Sequence, residues 1–238
     1  MRRFALGALL VTLFLGAASA QSMKYKFPEY KKDPKPMVIQ GPAGEIFTFT
    51  RVGATTCGKF TIADSVIPPG AGPMPHIHHW TDEWFYFPDG GITIYMSEKT
   101  YPDLKQVPGK QLPKGKVHKY RTQPGDLIYG PRYYIHGFNN EAKDNRRLIF
   151  VWTPDKISEY FKEVGQLVTD PKNPPPIADK NKQLFVSQGP KYGINQSASW
   201  GEYVDGPGDY TMKPTDNHAK ELEALFAADA KRNGGACK

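Results

Sequence analysis

The sequence of 238 residues is 39% hydrophobic and 23% charged, and its formal net charge at pH 7 is +7. This length and composition suit one globular domain with extensions, and lysines scattered over loops, without an aromatic-interleaved basic stripe, argue against nucleic-acid binding. The 23 glycines, 22 prolines and 13% aromatic residues favour strands joined by many turns, and therefore an all-β fold.

Residues 1–20 have the pattern of a cleaved export signal. Two arginines at positions 2 and 3 precede a hydrophobic run over 5–16, and the small residues of 18–20 (Ala-Ser-Ala) form a cleavage site. The run is shorter than the roughly 20 apolar residues that a membrane span needs, and no cysteine stands at the cleavage site to carry a lipid. We therefore predict an exported protein, periplasmic or extracellular, that has no stable membrane anchor and crosses the membrane unfolded.

The mature chain is predicted to begin with an extended arm and to continue as a β-domain. Residues 21–43 contain four prolines and many lysines, which favours an arm that wraps the domain rather than a helix. Residues 44–153 show apolar runs separated by turn signals, typical of a sandwich or barrel. The predicted strands are 45–50, 59–67, 83–87, 91–96 and 147–152.

Two local features of this domain lead to specific expectations. The turn signal Pro88-Asp89-Gly90-Gly91 predicts that the strands on either side of it pair as a hairpin. The polar segment 97–119, with three prolines and six lysines, is predicted to be a surface insertion. His118, within this segment, is expected at the surface.

The C-terminal extension, residues 154–238, is predicted to contribute two helices that pack on the outside of the β-domain. Residues 155–164 have helical apolar spacing, and 170–215 are expected to be irregular. Asp216 is the predicted N-cap of the last helix, which carries His218 towards solvent and has an apolar side formed by Leu222, Leu225 and Phe226.

The two cysteines, Cys57 and Cys237, allow two interpretations. Export to an oxidising compartment permits a disulfide between them. Since Cys237 is next to the last residue, the alternative is a buried Cys57 and a loose thiol in the tail.

A histidine-rich stretch over 70–90 indicates metal binding. His76 and His78 are two residues apart, so on a strand their imidazoles leave the same face. Glu83 lies five residues beyond His78, and a bend between them would return its carboxylate to the same centre. Two imidazoles and one carboxylate suit a divalent transition metal, and a further ligand is expected from far along the chain.

Together with a second stretch over 124–140, this segment resembles the two motifs of the cupin superfamily. The first motif, G-x5-H-x-H-x3,4-E-x6-G, is matched by Gly70, His76, His78, Glu83 and Gly90. The second, G-x5-P-x-G-x2-H-x3-N, is matched by Gly125, Pro131, His136 and Asn140, with Tyr133 in place of the internal glycine.

The resemblance implies a double-stranded β-helix, or jelly roll, that closes around a metal pocket. It implies four metal ligands, which are His76, His78, Glu83 and His136. The pocket is expected to be lined by Phe85, Tyr133, Phe138 and Trp152, with Tyr133 crowding the metal. His79 is expected beside the site or at the surface.

The chain is also similar to the exported single-domain copper-binding cupins of the cyanobacterial periplasm. A protein that folds after export takes its metal where copper competes, and copper wins at a site of this ligand type. We therefore expect Cu(II), with manganese, iron or zinc as alternatives.

Two classes of function stay open. The first is a metal-binding protein without turnover. The second is an enzyme resembling quercetin dioxygenase or oxalate decarboxylase, with Glu83 as its acid–base residue. A sugar isomerase is a weaker third interpretation. A small organic ligand and a homo-oligomer are compatible with each.

Overall fold

The computed structural model describes residues 25–106, 116–197, 202–208, 217–232, 235 and 237, so the predicted export signal lies outside the described residues. In chain order the strands are β1 (Met37–Gln40), β2 (Ile46–Arg51), β3 (Thr61–Ile67), β4 (His76–His78), β5 (Asp82–Phe87), β6 (Thr93–Thr100), β7 (Lys116–Arg121), β8 (Asp126–Gly130), β9 (Tyr134–Asn139), β10 (Arg146–Thr153), β11 (Gln166–Leu167), β12 (Ile194–Gln196) and β13 (Glu202–Asp205).

These strands form two sheets that share one core. The larger sheet has the strand order β11-β1-β2-β3-β10-β5-β8, and the smaller has the order β12-β4-β9-β6-β7-β13. Neighbouring strands are antiparallel except β7 and β13. Phe47, Phe85 and Phe150 of the larger sheet pack with Ile94 and Phe138 of the smaller one. The predicted all-β jelly roll is thereby confirmed.

The helices are α1 (Gly53–Thr56), α2 (Ile157–Val164), α3 (Asp179–Gln188) and α4 (Ala219–Arg232), with 3-10 turns at Leu104–Gln106 and Gly189–Tyr192. The two predicted helices correspond to α2 and α4, although the predicted N-cap Asp216 lies outside the described residues. Within the described ranges, no helix is long and apolar enough to cross a membrane.

The region 170–215, predicted to be irregular, contains α3, β12 and β13, so the prediction of only two helices beyond residue 153 is wrong. In α3 only Asn181 is buried, and the helix therefore lacks a continuous apolar stripe that a sequence pattern would show. The short strand β12 pairs with the metal-site strand β4, so the extension completes the smaller sheet.

The predicted hairpin between β5 and β6 is wrong. β5 pairs with β10 and β8 in the larger sheet, whereas β6 pairs with β9 and β7 in the smaller one. Gly90 and Gly91, with φ angles of 61° and 78°, let the chain cross between the sheets. The crossing buries apolar side chains of both strands in the same core, since Phe85 and Met96 belong to one cluster.

The predicted surface insertion over 97–119 is partly β-structure. β6 extends to Thr100, β7 begins at Lys116, and Ser97 lies opposite Val117 in their ladder. The polar composition hid these strand ends because residues 98–100 are exposed. Residues 107–115 lie outside the described residues.

The predicted arm contributes to both the sheet and its outer surface. β1 lies within residues 21–43 and pairs with β2 and β11, so the larger sheet includes strands from outside the predicted 44–153 domain. Upstream, Phe27 and Tyr30 each place their ring 5.7 Å from that of Phe226 in α4. The arm and α4 therefore cover a second apolar cluster that includes Ile62 and Trp84.

Cys57 and Cys237 form a disulfide, with their Cα atoms 5.2 Å apart. The structure therefore favours the paired interpretation over the loose thiol. The bridge joins the residue that follows α1 to the chain end beyond α4 and spans 180 residues of sequence. A cross-link of this span stabilises the folded state by about 2–5 kcal/mol, mainly by restricting the unfolded chain.

Candidate metal centre

Four side chains converge between the two sheets. β4 carries His76 and His78, β9 carries His136, and β5 carries Glu83. His76 lies directly opposite His136 in the β4–β9 ladder, and one ring nitrogen from each of the three histidines lies within 4.8 Å of the others. The sequence spacing thus places two imidazoles on one face of β4, and strand pairing adds the third from 58 residues further along the chain.

Close backbone approach holds this segment in place. Gly72, at a φ of 149°, would direct a β-carbon to within 2.0 Å of the carbonyl oxygen of Phe138. A glycine is therefore required at this point for the loop before β4 to lie against β9.

Backbone carbonyls orient two of the three imidazoles. His76 Nδ1 lies 2.9 Å from the carbonyl oxygen of Met74, and His136 Nδ1 lies 3.0 Å from that of Tyr134. A carbonyl oxygen only accepts hydrogen bonds, so each Nδ1 carries the proton and each Nε2 keeps a lone pair. This arrangement, in which one nitrogen is anchored and the other is free, is the usual form of a metal-binding histidine.

Glu83 lies beside His136 and His78. Its Oε2 is 3.3 Å from His136 Nε2 and 3.7 Å from His78 Nδ1, and it is 3% exposed. Burial raises the pKa of Glu83 well above its usual range, and a hydrogen bond from the Trp152 side chain opposes that shift. A divalent cation next to this carboxyl would offset the cost of burying its charge.

The histidines are neutral and incompletely bonded. Burial lowers the pKa of His76 to about 3 and that of His136 to about 4, and it also lowers the pKa of His78 well below its usual value. His78 Nδ1 and His136 Nε2 are buried without a hydrogen-bond partner in the described part of the chain. Such orphaned atoms are uncommon in folded proteins. Their lone pairs, together with Glu83, fit a divalent transition metal bound by three nitrogens and one carboxylate.

A cavity of about 40 Å³ adjoins this cluster. On this measure a water molecule needs roughly 10–15 Å³, so the space holds about three waters. Its walls are aromatic and include the predicted lining residues Phe85, Phe138 and Trp152. The C-terminal extension closes it with side chains that the sequence did not indicate, which are Ile157, Tyr160, Phe161, Phe185 and Ile194.

The prediction that Tyr133 lines the pocket is wrong. Tyr133 is absent from the cavity wall, and its ring lies 5.8 Å from that of His79. Its backbone has a φ of 77°. This is the left-handed conformation that glycine adopts most easily, and the cupin motif has glycine at this position. The backbone N–H donates to the His78 carbonyl at 2.9 Å and the carbonyl accepts from the Tyr101 N–H at 2.7 Å, so the turn is kept and the phenol lies outside the cavity.

Replacing Tyr133 by glycine is therefore expected to leave the affinity of a small metal-site ligand, such as azide, unchanged. The matched control Phe138→Ala removes a ring that does line the cavity, and azide affinity should change. Optical titration of the metal-loaded variants measures both. An azide shift in Tyr133→Gly as large as that in Phe138→Ala would place the phenol in the cavity after all.

The remaining histidines lie apart from the cluster. His79 is buried, with Nε2 3.0 Å from the carbonyl oxygen of Tyr101 and Nδ1 3.0 Å from the side-chain amide of Asn195, so it links strand ends around the site. His118 is half-buried and its Nε2 lies 2.8 Å from Glu98. His218 packs against Tyr129 with ring centroids 4.2 Å apart and the rings tilted by 36°.

Sequence reasoning missed Glu45, a buried carboxyl that lines the same cavity. The signal was present, because Glu45, Phe47 and Phe49 alternate and therefore share one strand face. Phe47 and Phe49 lie in the core, so the same spacing directs Glu45 inward.

Comparison with known proteins gives one family match. A family model described as Cupin matches residues 30–160. No curated protein matches the sequence.

Three of the solved structures that are similar to this chain are the following. KdgF from Halomonas sp. is 16% identical, with 54% of this chain and 87% of that chain covered and a TM-score of 0.35. A sugar phosphate isomerase from a cupin superfamily, from Silicibacter pomeroyi, is 17% identical, with coverages of 51% and 72% and a TM-score of 0.34. An oxalate oxidase in complex with the substrate analogue glycolate is 17% identical, with coverages of 40% and 42% and a TM-score of 0.32. The match thus spans less than half of that oxidase.

Proposed function

The chain belongs to the cupin family, and on that premise we propose that it is an exported protein that binds one divalent transition metal, Cu(II) in its native compartment. The proposed ligands are His76, His78, His136 and Glu83. The observation that carries this proposal is the group of three buried imidazoles whose ligand nitrogens lie within 4.8 Å of one another.

The choice of copper rests on the donor set and on where the protein folds. Three imidazoles and one carboxylate do not favour a metal that prefers hard oxygen ligands, such as manganese. The affinity of the site therefore follows the general order that peaks at copper. The disulfide between Cys57 and Cys237 supports folding in an oxidising compartment, as the proposed export signal over residues 1–20 requires. We include in this proposal that the chain is one of the exported copper-binding cupins of the cyanobacterial periplasm, which it resembles in sequence.

A second candidate function is a metal-dependent enzyme that acts on a small carboxylate. The cavity beside the cluster favours it, since a protein that only stored metal would have no need of a ligand space with aromatic walls. A bound metal would supply Lewis-acid or redox chemistry, and Glu83 would hold or move a proton beside the ligand. The cavity has room for about three waters, so an oxalate-sized ligand fits better than a three-ring flavonol.

Metal competition tests the copper assignment. The apo chain, refolded with equal concentrations of Cu(II), Mn(II) and Zn(II), is expected to take up copper, measured by elemental mass spectrometry after desalting. Selection of manganese would overturn the copper assignment and favour the decarboxylase-like alternative.

A further inference from the structure

Glu45 is a second carboxyl in the cavity, apart from the proposed ligands. It immediately precedes β2, is 3% exposed, and lines the same space as His76, His78 and Glu83. Its Oε2 finds no hydrogen-bond partner among the described residues. A buried carboxyl oxygen without a partner is costly, so the retention of this acid beside the cavity needs a reason.

The surroundings of Glu45 hold the carboxyl in position without neutralising it. A β-carbon at Gly41 would lie 2.7 Å from Glu45 Oε2, so the carboxyl is packed directly against that glycine. Tyr160 of α2 is the titratable group next to it, and the Tyr160 hydroxyl donates to the carbonyl oxygen of Phe185 at 2.7 Å. Among the residues that the structure describes, no lysine or arginine lines the cavity wall. His76, His78 and Glu83 are the other titratable groups that line the cavity.

This environment favours the neutral acid. Burial raises the pKa of Glu45 to about 7, against the opposing effect of hydrogen bonds from the backbone at Glu45 and Ala43. Below that pH the carboxyl carries a proton that it can donate. Above it, a carboxylate would repel any anion that enters the cavity.

We propose that Glu45 is the second polar anchor of this cavity, whose neutral carboxyl donates a hydrogen bond to an acceptor oxygen of a small anionic ligand held at its other end by the three-histidine centre. The inference rests on the proposed metal site and adds the residue that selects the ligand. Aromatic side chains, including Phe47 and Phe150, line the cavity, and such apolar surroundings strengthen a hydrogen bond made within it.

The ligand class follows from the two ends and the volume. One end of the ligand must bind a cation, and its other end must accept a hydrogen bond. The cavity holds about three waters. A two-carbon dicarboxylate meets these requirements. Formate, which has one carboxylate, would occupy the metal end alone and therefore serves as the matched comparison probe.

The test measures the affinities of oxalate and formate for copper-loaded protein in the parent chain, Glu45→Gln and Glu45→Leu. Glu45→Leu should weaken oxalate binding about 10- to 100-fold, the usual effect of losing a hydrogen bond to a charged group, with formate affinity and copper content unchanged. Glu45→Gln keeps a donor and cannot ionise. It should retain most of the oxalate affinity. In the parent chain that affinity should fall as the pH rises through about 7, whereas in Glu45→Gln it should stay constant.

An infrared measurement on the apo protein adds a readout that needs no metal. At pH 6 the two buried carboxyls, Glu45 and Glu83, should each contribute the carbonyl band of a protonated acid, and the Glu45 band is the one that Glu45→Gln removes and Glu83→Gln keeps. Absence of that band, or an oxalate-to-formate affinity ratio in Glu45→Leu equal to that of the parent chain, would overturn the role of Glu45 while leaving the metal site intact. A parent chain that binds no metal would overturn the proposed function and this inference with it.

Discussion

Replacing His136 by alanine is expected to abolish stoichiometric copper binding. His136 lies at the centre of the cluster, with its ring centroid 4.5 Å from that of His76 and 4.8 Å from that of His78. Removing a ligand should cost more than the roughly 10- to 100-fold that follows loss of a residue that only orients one. His76→Ala and His78→Ala should act similarly, since each removes a buried nitrogen of the same site.

Two further variants make this prediction specific to the cluster. His118→Ala is the matched control, because His118 pairs with Glu98 away from the site, and its copper affinity should equal that of the parent chain. Glu83→Gln should weaken binding less than loss of an imidazole, since an amide oxygen still approaches a metal but brings no charge. Isothermal titration with Cu(II) measures each affinity. Equal losses in His118→Ala and His136→Ala would show that copper binds elsewhere.

Replacing Arg51 by alanine is expected to destabilise the fold by about 3–5 kcal/mol, the usual cost of leaving a buried ion pair with one partner. Arg51 is 4% exposed and its guanidinium lies 2.7 Å from Asp33 of the arm and 2.6 Å from Asp229 of α4. Asp229 also pairs with Arg232 at 2.6 Å. The substitution would leave two carboxylates facing a cavity where their shared cation stood.

The control for this variant is Arg147→Ala. Arg147 also pairs with an aspartate, Asp64, at 2.7 Å, but its side chain is 49% exposed. Its replacement should therefore lower the free energy of unfolding by only about 0–1 kcal/mol. Urea unfolding of both variants, with the disulfide intact, measures the difference. Similar losses in the two variants would mean that burial of the Arg51 pair adds nothing to stability.

The all-β fold and the pairing of His76 with His78 could be predicted from composition and local spacing, whereas the jelly roll and the full set of four ligands were implied by the resemblance to the cupin motifs. Alternation along a strand puts His76 and His78 on one face, and the motif order brings in Glu83 and His136. The prediction failed where packing between distant segments decides the outcome. Gly90 and Gly91 permit a hairpin as well as a crossover, and only the need to bury both strands in one core selects the crossover.

The cavity was predicted less completely than the cluster, for similar reasons. Tyr133 was placed by its motif position, but its left-handed backbone turns the ring towards His79. Phe185 of α3 and Ile194 of β12 close the cavity from more than 100 residues beyond Glu83, and no periodic pattern connects them to it.

The central claim is that the three histidines bind one metal ion, and anomalous diffraction from crystals of the copper-loaded protein tests it most directly. Data collected at the copper absorption edge should show one strong peak per chain within bonding distance of ring nitrogens of His76, His78 and His136, and none elsewhere. A chain that carries copper but shows its peak at another site, or no peak between these imidazoles, would contradict the assignment.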